Sequence, residues 1–428
     1  MKKIFFISFG CASNQADSEI MKGLLNKNFE LTENLEESDL VIINTCVVKT
    51  PTEKRMINKV KEFTKLKKPL IVAGCMTKTE REIIERINPK ASLIGPDSLE
   101  KIVEATELTL KGEKVVFLKD SRKPKLCLPR IQANPIIRII QIAEGCAWHN
   151  CSYCIVKLAR GKIFSYPLDL IKKEAEQAIK EGDKEIWLTS QDTSSYGFDR
   201  GKLELPLLLE EICKLEGKFF VRVGMMNPLF TKKILEDLVQ SYKNEKIFKF
   251  LHLPIQSFSE KILEEMKRGY KPKDALEIIE KFSNSFPNLT LSTDIMVGFP
   301  SESEEDFEKT LGFIEKVKPD VVNISKFGPR PRTEAAKMKQ LPNHIVKKRS
   351  KEAFELVRKI SFEKNQRWLG WEGECLIDEK GVKNKTFLAR NFAYKPIVVK
   401  SEKNLLGEIK NIRITEARSN YLIGKILP

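Results

Sequence analysis

Cys146-Ala-Trp-His-Asn-Cys151-Ser-Tyr-Cys154 places three cysteines within nine residues, directly after the apolar run Ile136–Ala143. The run predicts a buried β-strand, and the cysteines lie in the loop that leaves it. Thiolates suit zinc or iron–sulfur clusters, and a closed zinc site needs four ligands, for which only His149 is near. Three thiolates on a cubane cluster leave one iron open to an outside ligand. We therefore interpret the loop as a site of chemistry, the alternative being a zinc knuckle or buried cysteines.

The length and the apolar content are those of an ordinary folded protein. At 428 residues, with 41% apolar and 31% charged residues, the chain has room for two or three domains with ample cores. No apolar run of the sequence reaches the roughly 18–20 residues that span a bilayer. The segment Met1–Gly10 predicts a short first strand rather than a signal peptide, because polar residues follow it too soon. We expect a cytoplasmic protein that has no membrane contact.

Charge and cysteine content point to particular partners. A net charge of +16 favours a polyanionic partner, because neutralised phosphates release counterions; the alternative is a proteome that is rich in lysine throughout. Disulfides are not expected in a reducing compartment, so the nine cysteines indicate metal or redox chemistry.

Residues 1–118 alternate short apolar strands with amphipathic segments, which predicts a doubly wound parallel sheet. The predicted strands are Ile4–Phe9, Leu40–Asn44, Leu70–Ala73, Leu93–Gly95 and Val115–Leu118. Cys11, Cys46 and Cys75 each come just after one of these strands. Ligand sites in such sheets lie outside the carboxyl ends of the strands, so the three residues can meet in space. Their shared placement predicts a second cluster site, although each cysteine taken singly is compatible with a core position.

Residues 119–132 are rich in proline and lysine and are interpreted as a linker. Residues 133–342 alternate six strands with six helical segments, which predicts a (β/α)6 partial barrel. The predicted strands are Ile136–Ala143, Glu185–Thr189, Phe219–Val223, Phe248–Leu253, Leu289–Val297 and Val321–Phe327. Reaction centres of such folds collect in loops at the carboxyl ends of the strands. The cysteine loop lies on this rim, with Thr189–Asp192, Leu253–Ser257 and Val297–Glu302.

The last third of the chain changes character. A basic helical pattern runs from Asn343 to about Gln366 and completes a central region, 133–366. Residues 367–428 contain short strands separated by Gly, Asn and Lys turns, which predicts a small β-barrel. With eleven Lys and Arg against seven Asp and Glu from Trp371 onward, this barrel is a candidate for binding RNA through exposed aromatics. Those aromatics are Phe392, Tyr394 and Tyr421. The alternative is a structural cap.

Taken together, these residues resemble the radical S-adenosylmethionine methylthiotransferases over nearly the whole chain. The matching motifs are Phe9–Glu19, Asn44–Cys46, Ala73–Cys75, Ala143–Cys146, Cys151–Gly161, His252–Ser257, Thr293–Pro300 and Pro329–Thr333. The resemblance implies an N-terminal cluster-binding domain, a radical S-adenosylmethionine domain and a C-terminal TRAM domain. Glu185–Thr193 with Tyr196-Gly197, Ala159–Gly161 and Met338–Pro342 are similar to the archaeal and eukaryotic branch, which acts on N6-threonylcarbamoyladenosine beside the tRNA anticodon.

The resemblance implies two 4Fe–4S clusters and S-adenosylmethionine as cofactors. Cys146, Cys151 and Cys154 would hold the cluster that binds S-adenosylmethionine, and Cys11, Cys46 and Cys75 the cluster that supplies sulfur. The residues expected to bind S-adenosylmethionine are Gln191, Asp192, Gln256, Asp294, Val297, Gly298 and Phe299. The implied partners are the anticodon arm of tRNA and a low-potential electron donor such as ferredoxin or flavodoxin.

The chain departs from the family pattern at three places. Four residues rather than three separate Cys146 from Cys151, while Phe258 and Arg332 stand where the family usually has glycine. Two related substrates remain as alternatives, isopentenyladenosine in tRNA and an aspartate of a ribosomal protein. An alternative of another class is a zinc-stabilised RNA-binding protein without enzymatic activity.

Overall fold

The computed structural model of the chain describes residues 1–48, 50–119 and 122–428. They form a parallel sheet, a partial barrel and a small closed barrel, in that order along the chain. The predicted linker 119–132 includes Asp120 and Ser121, which lie outside the described residues. Within the described part of the chain, none of the helices combines the length and the apolarity that crossing a bilayer demands.

The N-terminal part is the predicted doubly wound sheet. In the described portion of residues 1–118, the strands are β1 Lys3–Ser8, β2 Glu30–Thr32, β3 Leu40–Thr45, β4 Leu70–Gly74, β5 Ser92–Ile94 and β6 Val116–Phe117. They pair in parallel in the order β2-β1-β3-β4-β5-β6. The α-helices are α1 Ala12–Leu25, α2 Thr50–Lys65, α3 Met76–Thr79, α4 Arg81–Ile87 and α5 Ile102–Leu110. The central strands β3 and β4 are buried along their whole length, as expected when helices cover both faces of a parallel sheet.

Residues 133–366, described without a gap, form the predicted partial barrel. The strands are β7 Ile137–Gln141, β8 Ala143–Glu144, β9 Phe164–Ser165, β10 Glu185–Thr189, β11 Phe220–Val223, β12 Phe250–His252, β13 Thr290–Val297 and β14 Val321–Lys326. Parallel pairing gives β7-β10-β11 and β12-β13-β14, and a bridge between Val221 and Ile247 continues the order from one set to the other. β8 and β9 form a small antiparallel pair beside the cysteine loop.

The helices of the central part pack around this sheet. They are α6 Val156–Arg160, α7 Leu168–Glu181, α8 Leu205–Cys213, α9 Pro228–Thr231, α10 Leu235–Ser241, α11 Glu260–Glu265, α12 Pro272–Ser285, α13 Glu304–Val317 and α14 Asn343–Gln366. Short 3-10 turns of the central part lie at Thr193–Ser195, Phe198–Arg200, Lys232–Ile234 and Ala335–Lys337. A further 3-10 turn, Pro96–Lys101, precedes α5 in the N-terminal part. The largest apolar core lies between the strands and these helices, with Ile140, Leu188 and Val221 among its fully buried members.

The C-terminal residues form the predicted small barrel. Its strands are β15 Glu372–Lys380, β16 Thr386–Arg390, β17 Pro396–Lys400, β18 Ile409–Ala417 and β19 Leu422–Ile426. They close in the order β15-β16-β17-β19-β18, so the sheet has no free edge. The predicted fold class is confirmed for all three parts.

This barrel packs against the amino ends of the central strands. Tyr394 lies between the rings of Phe248, at 4.8 Å, and Phe250, at 5.2 Å, and is only 7% exposed. The prediction that Tyr394 is a surface aromatic was wrong, because its neighbours come from a distant part of the chain. Phe392 and Tyr421 are exposed, as predicted. The small barrel therefore closes the end of the partial barrel opposite the cysteine loop.

Candidate functional site

The three N-terminal cysteines follow three neighbouring strands. Cys11 comes after β1 and stands at the N-terminus of α1, Cys46 follows β3, and Cys75 follows β4. Cys11 is exposed, while the other two are buried. Hydrogen bonding from the Cys46 thiol lowers the pKa of Cys11 to about 6 and raises the pKa of Cys46 itself. The structure therefore brings this trio together at the carboxyl edge of the sheet.

The backbone around this trio has little spare room. Gly10 has a φ of +139°, and a Cβ atom there would lie 2.8 Å from the Cβ of Cys46. Asn44 fixes the next turn, since its Nδ2 donates to the Asn14 carbonyl at 3.0 Å and to Ser18 Oγ at 2.7 Å. A side chain at position 10 would collide with Cys46, so glycine is the residue that lets this turn approach the cysteine closely.

The second trio lies in the loop between β8 and α6. Burial first, then the charges of Asp192 and Cys154, raise the pKa of the Cys146 thiol. Burial and the charge of Cys151 likewise raise the pKa of Cys154. Arg268 is buried beside this trio, and its Nη1 lies 3.7 Å from Cys151 Sγ. The loop thus collects three thiols next to a guanidinium, whose charge offsets part of the rise in the pKa of Cys154.

A tryptophan anchors the cysteine loop, which is one residue longer than the family pattern. Trp148 Nε1 donates to the Lys267 carbonyl at 2.7 Å. Its ring packs on Gly269, where a Cβ atom would come within 2.6 Å of the ring. Ser152 secures the far side of the loop, donating from its Oγ to the Glu265 carbonyl at 2.7 Å. The longer loop is therefore held against the turn that follows α11.

All nine cysteines, each in a described part of the chain, are free thiols. Within residues 1–48, 50–119 and 122–428, no three Cys, His, Asp or Glu side chains are grouped closely enough to hold one metal ion. A four-iron cluster holds its cysteines further apart than an ion does, so this finding concerns sites for a single ion. The free thiols include two separate groups of three, and cysteine thiolates are the ligands that iron–sulfur clusters use.

After β10, the buried Asp192 and the half-buried Gln191 each have a buried oxygen with an unused acceptor. Asp192 Oδ1 accepts hydrogen bonds from the amides of Ser194, at 3.1 Å, and Asn227, at 3.0 Å. Its Oδ2, like Gln191 Oε1, has no hydrogen-bond partner among the described residues. Burial raises the pKa of Asp192 to about 6. One oxygen of Asp192 thus caps the following turn, while the other is buried without a partner among the described residues.

Gln256, in the loop after β12, meets Asp294 in the second half of β13. His252 Nε2 lies 3.0 Å from Asp294 Oδ2, a pairing that the sequence did not reveal. The Gln256 amide donates to the Asp294 carbonyl at 2.8 Å, and Gln256 has a φ of +76°. The left-handed backbone turns this residue away from the strand direction. The two predicted residues are therefore neighbours, Asp294 within β13 and Gln256 in the loop that pairs with it.

Val297, Gly298 and Phe299 present backbone rather than side chains. Val297 and Phe299 are fully buried, the first in the main core and the second beside α11. Gly298 has a φ of +78°, and a Cβ atom there would lie 2.7 Å from Val346 of α14. Contact of this segment with a ligand would therefore be made by its main chain.

The two other departures from the family pattern have local explanations. Arg332 adopts a φ of +61°, the left-handed region that glycine occupies at least cost. Its Nη2 donates to the carbonyls of Lys78, at 3.2 Å, and Thr79, at 2.8 Å, which offsets that cost. Phe258 stacks on Phe313 with ring centroids 4.2 Å apart.

A buried charge network that sequence reasoning missed joins the N-terminal sheet to the central part. Arg160 donates to Asp17 at 2.8 Å and to Glu144 at 2.6 Å. Lys125 reaches Glu144 at 2.8 Å and Asp17 at 3.2 Å. Arg160 Nε also lies 3.4 Å from Cys75 Sγ. Arg160 belongs to the quoted motif Ala159–Gly161, which was the one signal of its importance in the sequence.

Profiles of three known families match successive parts of the chain. The Radical SAM superfamily matches residues 140–314, uncharacterized protein family UPF0004 matches residues 3–95, and the TRAM domain matches residues 367–427. The radical SAM match implies a 4Fe–4S cluster and S-adenosylmethionine, and the loop of Cys146, Cys151 and Cys154 has a suitable donor set.

Named relatives align along the whole chain. A protein of Pyrococcus horikoshii named "Probable threonylcarbamoyladenosine tRNA methylthiotransferase" is 41% identical over 100% of both chains. The human protein named "Threonylcarbamoyladenosine tRNA methylthiotransferase" is 34% identical over 99% of this chain and 74% of its own length. Among solved structures, the radical S-adenosylmethionine methyltransferase TsrM of Kitasatospora setae shares the fold, with a TM-score of 0.57 and 13% identity over 78% of this chain and 75% of that chain. The chain therefore belongs to the threonylcarbamoyladenosine tRNA methylthiotransferase family, within the radical SAM superfamily.

Proposed function

We propose that this protein replaces the hydrogen on ring carbon 2 of N6-threonylcarbamoyladenosine in tRNA, beside the anticodon, with a methylthio group. The observation that carries the proposal is the presence of two separate cysteine trios, both at carboxyl ends of strands, in a chain whose relatives of that name align from end to end. One trio serves to make a radical, and the other serves to supply sulfur.

Cys146, Cys151 and Cys154 would hold the first 4Fe–4S cluster. When bound and reduced, this group supplies the electron that cleaves S-adenosylmethionine, and the resulting radical removes hydrogen from an unreactive carbon. The protein's share of the work is to orient the ligand. The unused acceptors of Asp192 and Gln191 suit the amino group of the methionine part, because an ammonium donates hydrogen bonds and its charge matches the carboxylate.

Asp294 and Gln256 would bind the polar groups of the sugar and of the methionine carboxylate. The hydrogen bond from His252 fixes the Asp294 carboxylate in one orientation, which lowers the entropy that binding must overcome. The main chain of Val297–Phe299 would border the adenine, since the side chains of both outer residues are buried away from the rim. These assignments make the rim of the partial barrel the place where the cofactor lies.

Cys11, Cys46 and Cys75 would hold a second 4Fe–4S cluster, which provides the sulfur that becomes methylated by another S-adenosylmethionine. Cys11 is the exposed member of this trio. Cys11→Ala should abolish methylthiolation and leave reductive cleavage of S-adenosylmethionine intact, as measured by release of 5′-deoxyadenosine. If both activities survive, the second trio is not the sulfur site.

The tRNA would be held by the basic α14 and by the closed barrel. Phe392 and Tyr421 are exposed on that barrel, where they can stack on unpaired bases. A low-potential donor such as ferredoxin or flavodoxin would supply the electron. We place the reaction in the cytoplasm, where both partners are found.

Mass spectrometry of tRNA nucleosides after incubation with the reconstituted enzyme tests the proposal. The expected product is the 2-methylthio derivative of N6-threonylcarbamoyladenosine, formed only with reductant and S-adenosylmethionine present. Modification of isopentenyladenosine or of a ribosomal aspartate in its place would assign the protein to another branch. One zinc per chain in anaerobic metal analysis, without iron and sulfide, would point instead to an RNA-binding protein without enzymatic activity.

A further inference from the structure

The guanidinium of Arg160 uses each of its nitrogens for a different partner. Nη1 donates to Glu144, Nη2 donates to Asp17, and Nε points at Cys75 Sγ from 3.4 Å. The side chain is only 1% exposed. Because the guanidinium is planar and rigid, the two carboxylates on one side fix the direction of the third N–H. The contact with sulfur is therefore an oriented one.

The buried charge of Arg160 is compensated without its contact with Cys75. The charges of Arg160 and Lys125 are balanced by those of Asp17 and Glu144, which each cation contacts. A buried ion network is stable when charges and hydrogen bonds are matched, and these four side chains meet that condition among themselves. The N–H aimed at sulfur is thus a feature that docking of the two domains does not explain.

Arg160 reaches the N-terminal trio from the other domain. It is the last residue of α6, which begins two residues after Cys154 and is about 7.5 Å long. A short helix thus spans from the loop of the second trio to a sulfur of the first. The surroundings of Cys75 are completed only when the N-terminal sheet is docked on the central part.

We propose that Arg160 raises the reduction potential of the cluster held by Cys11, Cys46 and Cys75. Hydrogen bonds to ligand sulfurs are one of the factors that set cluster potentials, and a cationic donor favours the reduced state because that state carries one more negative charge. Arg160 would thus act on the cluster through the hydrogen bond to Cys75 Sγ, without binding iron itself. This inference rests on the proposed function, because it requires the second cluster.

A redox titration followed by EPR tests the proposal in the full-length chain. Cys146→Ala, Cys151→Ala and Cys154→Ala are combined so that one cluster remains. In this background, Arg160→Gln should lower the reduction potential of the remaining cluster by about 59 mV, which is about a tenfold change in the one-electron equilibrium. Arg160→Lys keeps the charge but not the direction of the bond, and should shift the potential less in the same direction.

Arg138 offers a matched control. It is 2% exposed and pairs with Glu174 at 3.1 Å and Asp183 at 3.0 Å, but no cysteine is among its hydrogen-bond partners in residues 1–48, 50–119 and 122–428. Arg138→Lys should lower thermal stability and leave the potential unchanged. An unmoved potential in both Arg160 variants, with full iron content, would overturn the role of Arg160 while leaving the second cluster in place. A complete lack of iron in the triple-cysteine background would overturn the second cluster, and this inference with it.

A second measurement needs no substitution at position 160. Pulsed EPR of the reduced N-terminal cluster, in the same triple-cysteine background labelled with 15N-arginine, should detect a nitrogen coupled to the cluster spin. The absence of any such coupling in a protein with full iron content would overturn the proposal, even if the Arg160 variants fail to fold.

Discussion

Replacing Asp17 by Asn tests whether charge fixes the N-terminal sheet to the partial barrel. Asp17 lies on α1 with no exposed surface. It accepts hydrogen bonds from Lys125, Arg160 and, at 2.9 Å, Gln141, which come from three separate segments of the chain. Burial raises the pKa of Asp17, but the two cations outweigh this effect and hold it below its usual value, so the group is ionised at neutral pH.

The expected loss follows from the partners that Asn leaves behind. Removing one member of a buried ion pair costs about 3–5 kcal/mol, because the remaining charge stays buried. Asn keeps the shape and one acceptor oxygen, so we expect the lower figure, about 3 kcal/mol. Since each 1.4 kcal/mol is a factor of ten in an equilibrium constant, opening of α1 should become about a hundredfold more frequent.

Native-state hydrogen exchange of the α1 amides measures this opening directly. Asp183→Asn is the matched control, because Asp183 is also buried and pairs with Arg138 inside the central part. The control should speed exchange around β7 and leave α1 unaffected. Unchanged exchange of α1 in a folded Asp17→Asn protein would refute the reasoning, as would equal effects of the two substitutions.

Three further outcomes are expected. Burial, then the Asp378 charge, raises the pKa of Glu185 to about 7, so the folded state holds this proton more tightly than the unfolded state, and stability is lost as pH rises from about 4.5 through 7. Urea unfolding at pH 5 and pH 8 measures this difference in the free energy of unfolding, which Glu185→Gln should reduce by about 3 kcal/mol. An unaltered pH dependence in the variant would contradict the assignment. Affinity for tRNA should fall about a thousandfold between 50 and 200 mM salt if some six phosphates are neutralised, whereas a flat titration would favour a protein substrate. Tyr394→Ala should cost about 3–5 kcal/mol in thermal unfolding, while exposed Tyr421→Ala should cost about 0.5 kcal/mol or less; similar costs for both would show that the ring is not part of a packed seam.

Periodicity was sufficient to predict the long or strongly apolar elements. The strand Glu185–Thr189 and the helix Asn343–Gln366 have the predicted ends, because their hydrophobic patterns begin and stop sharply. β2 was missed because three residues are too few to show a period. α6 was missed for the same reason, since its five residues continue directly from the cysteine loop.

Some features of the candidate site were predictable from the sequence, and others were not. The grouping of Cys11 with Cys46 and Cys75 was predictable because the carboxyl ends of parallel strands share one edge. The hydrogen bond between Arg160 and Asp17 joins residues 143 positions apart, and no local pattern reports it. The burial of Tyr394 has the same origin, since its neighbours Phe248 and Phe250 precede it by well over a hundred residues. Contacts between domains are therefore what the sequence concealed.

The position of Tyr394 has a consequence for engineering. This ring and the apolar residue Leu376 pack against the first residues of the central strands. The C-terminal barrel is therefore not a domain that can be removed independently. Truncating the barrel, or replacing it with a homologous domain whose contact surface differs, would expose an apolar patch to water, and such patches promote aggregation. Chimaeras intended to redirect the enzyme to other RNAs will need to transplant both sides of this seam.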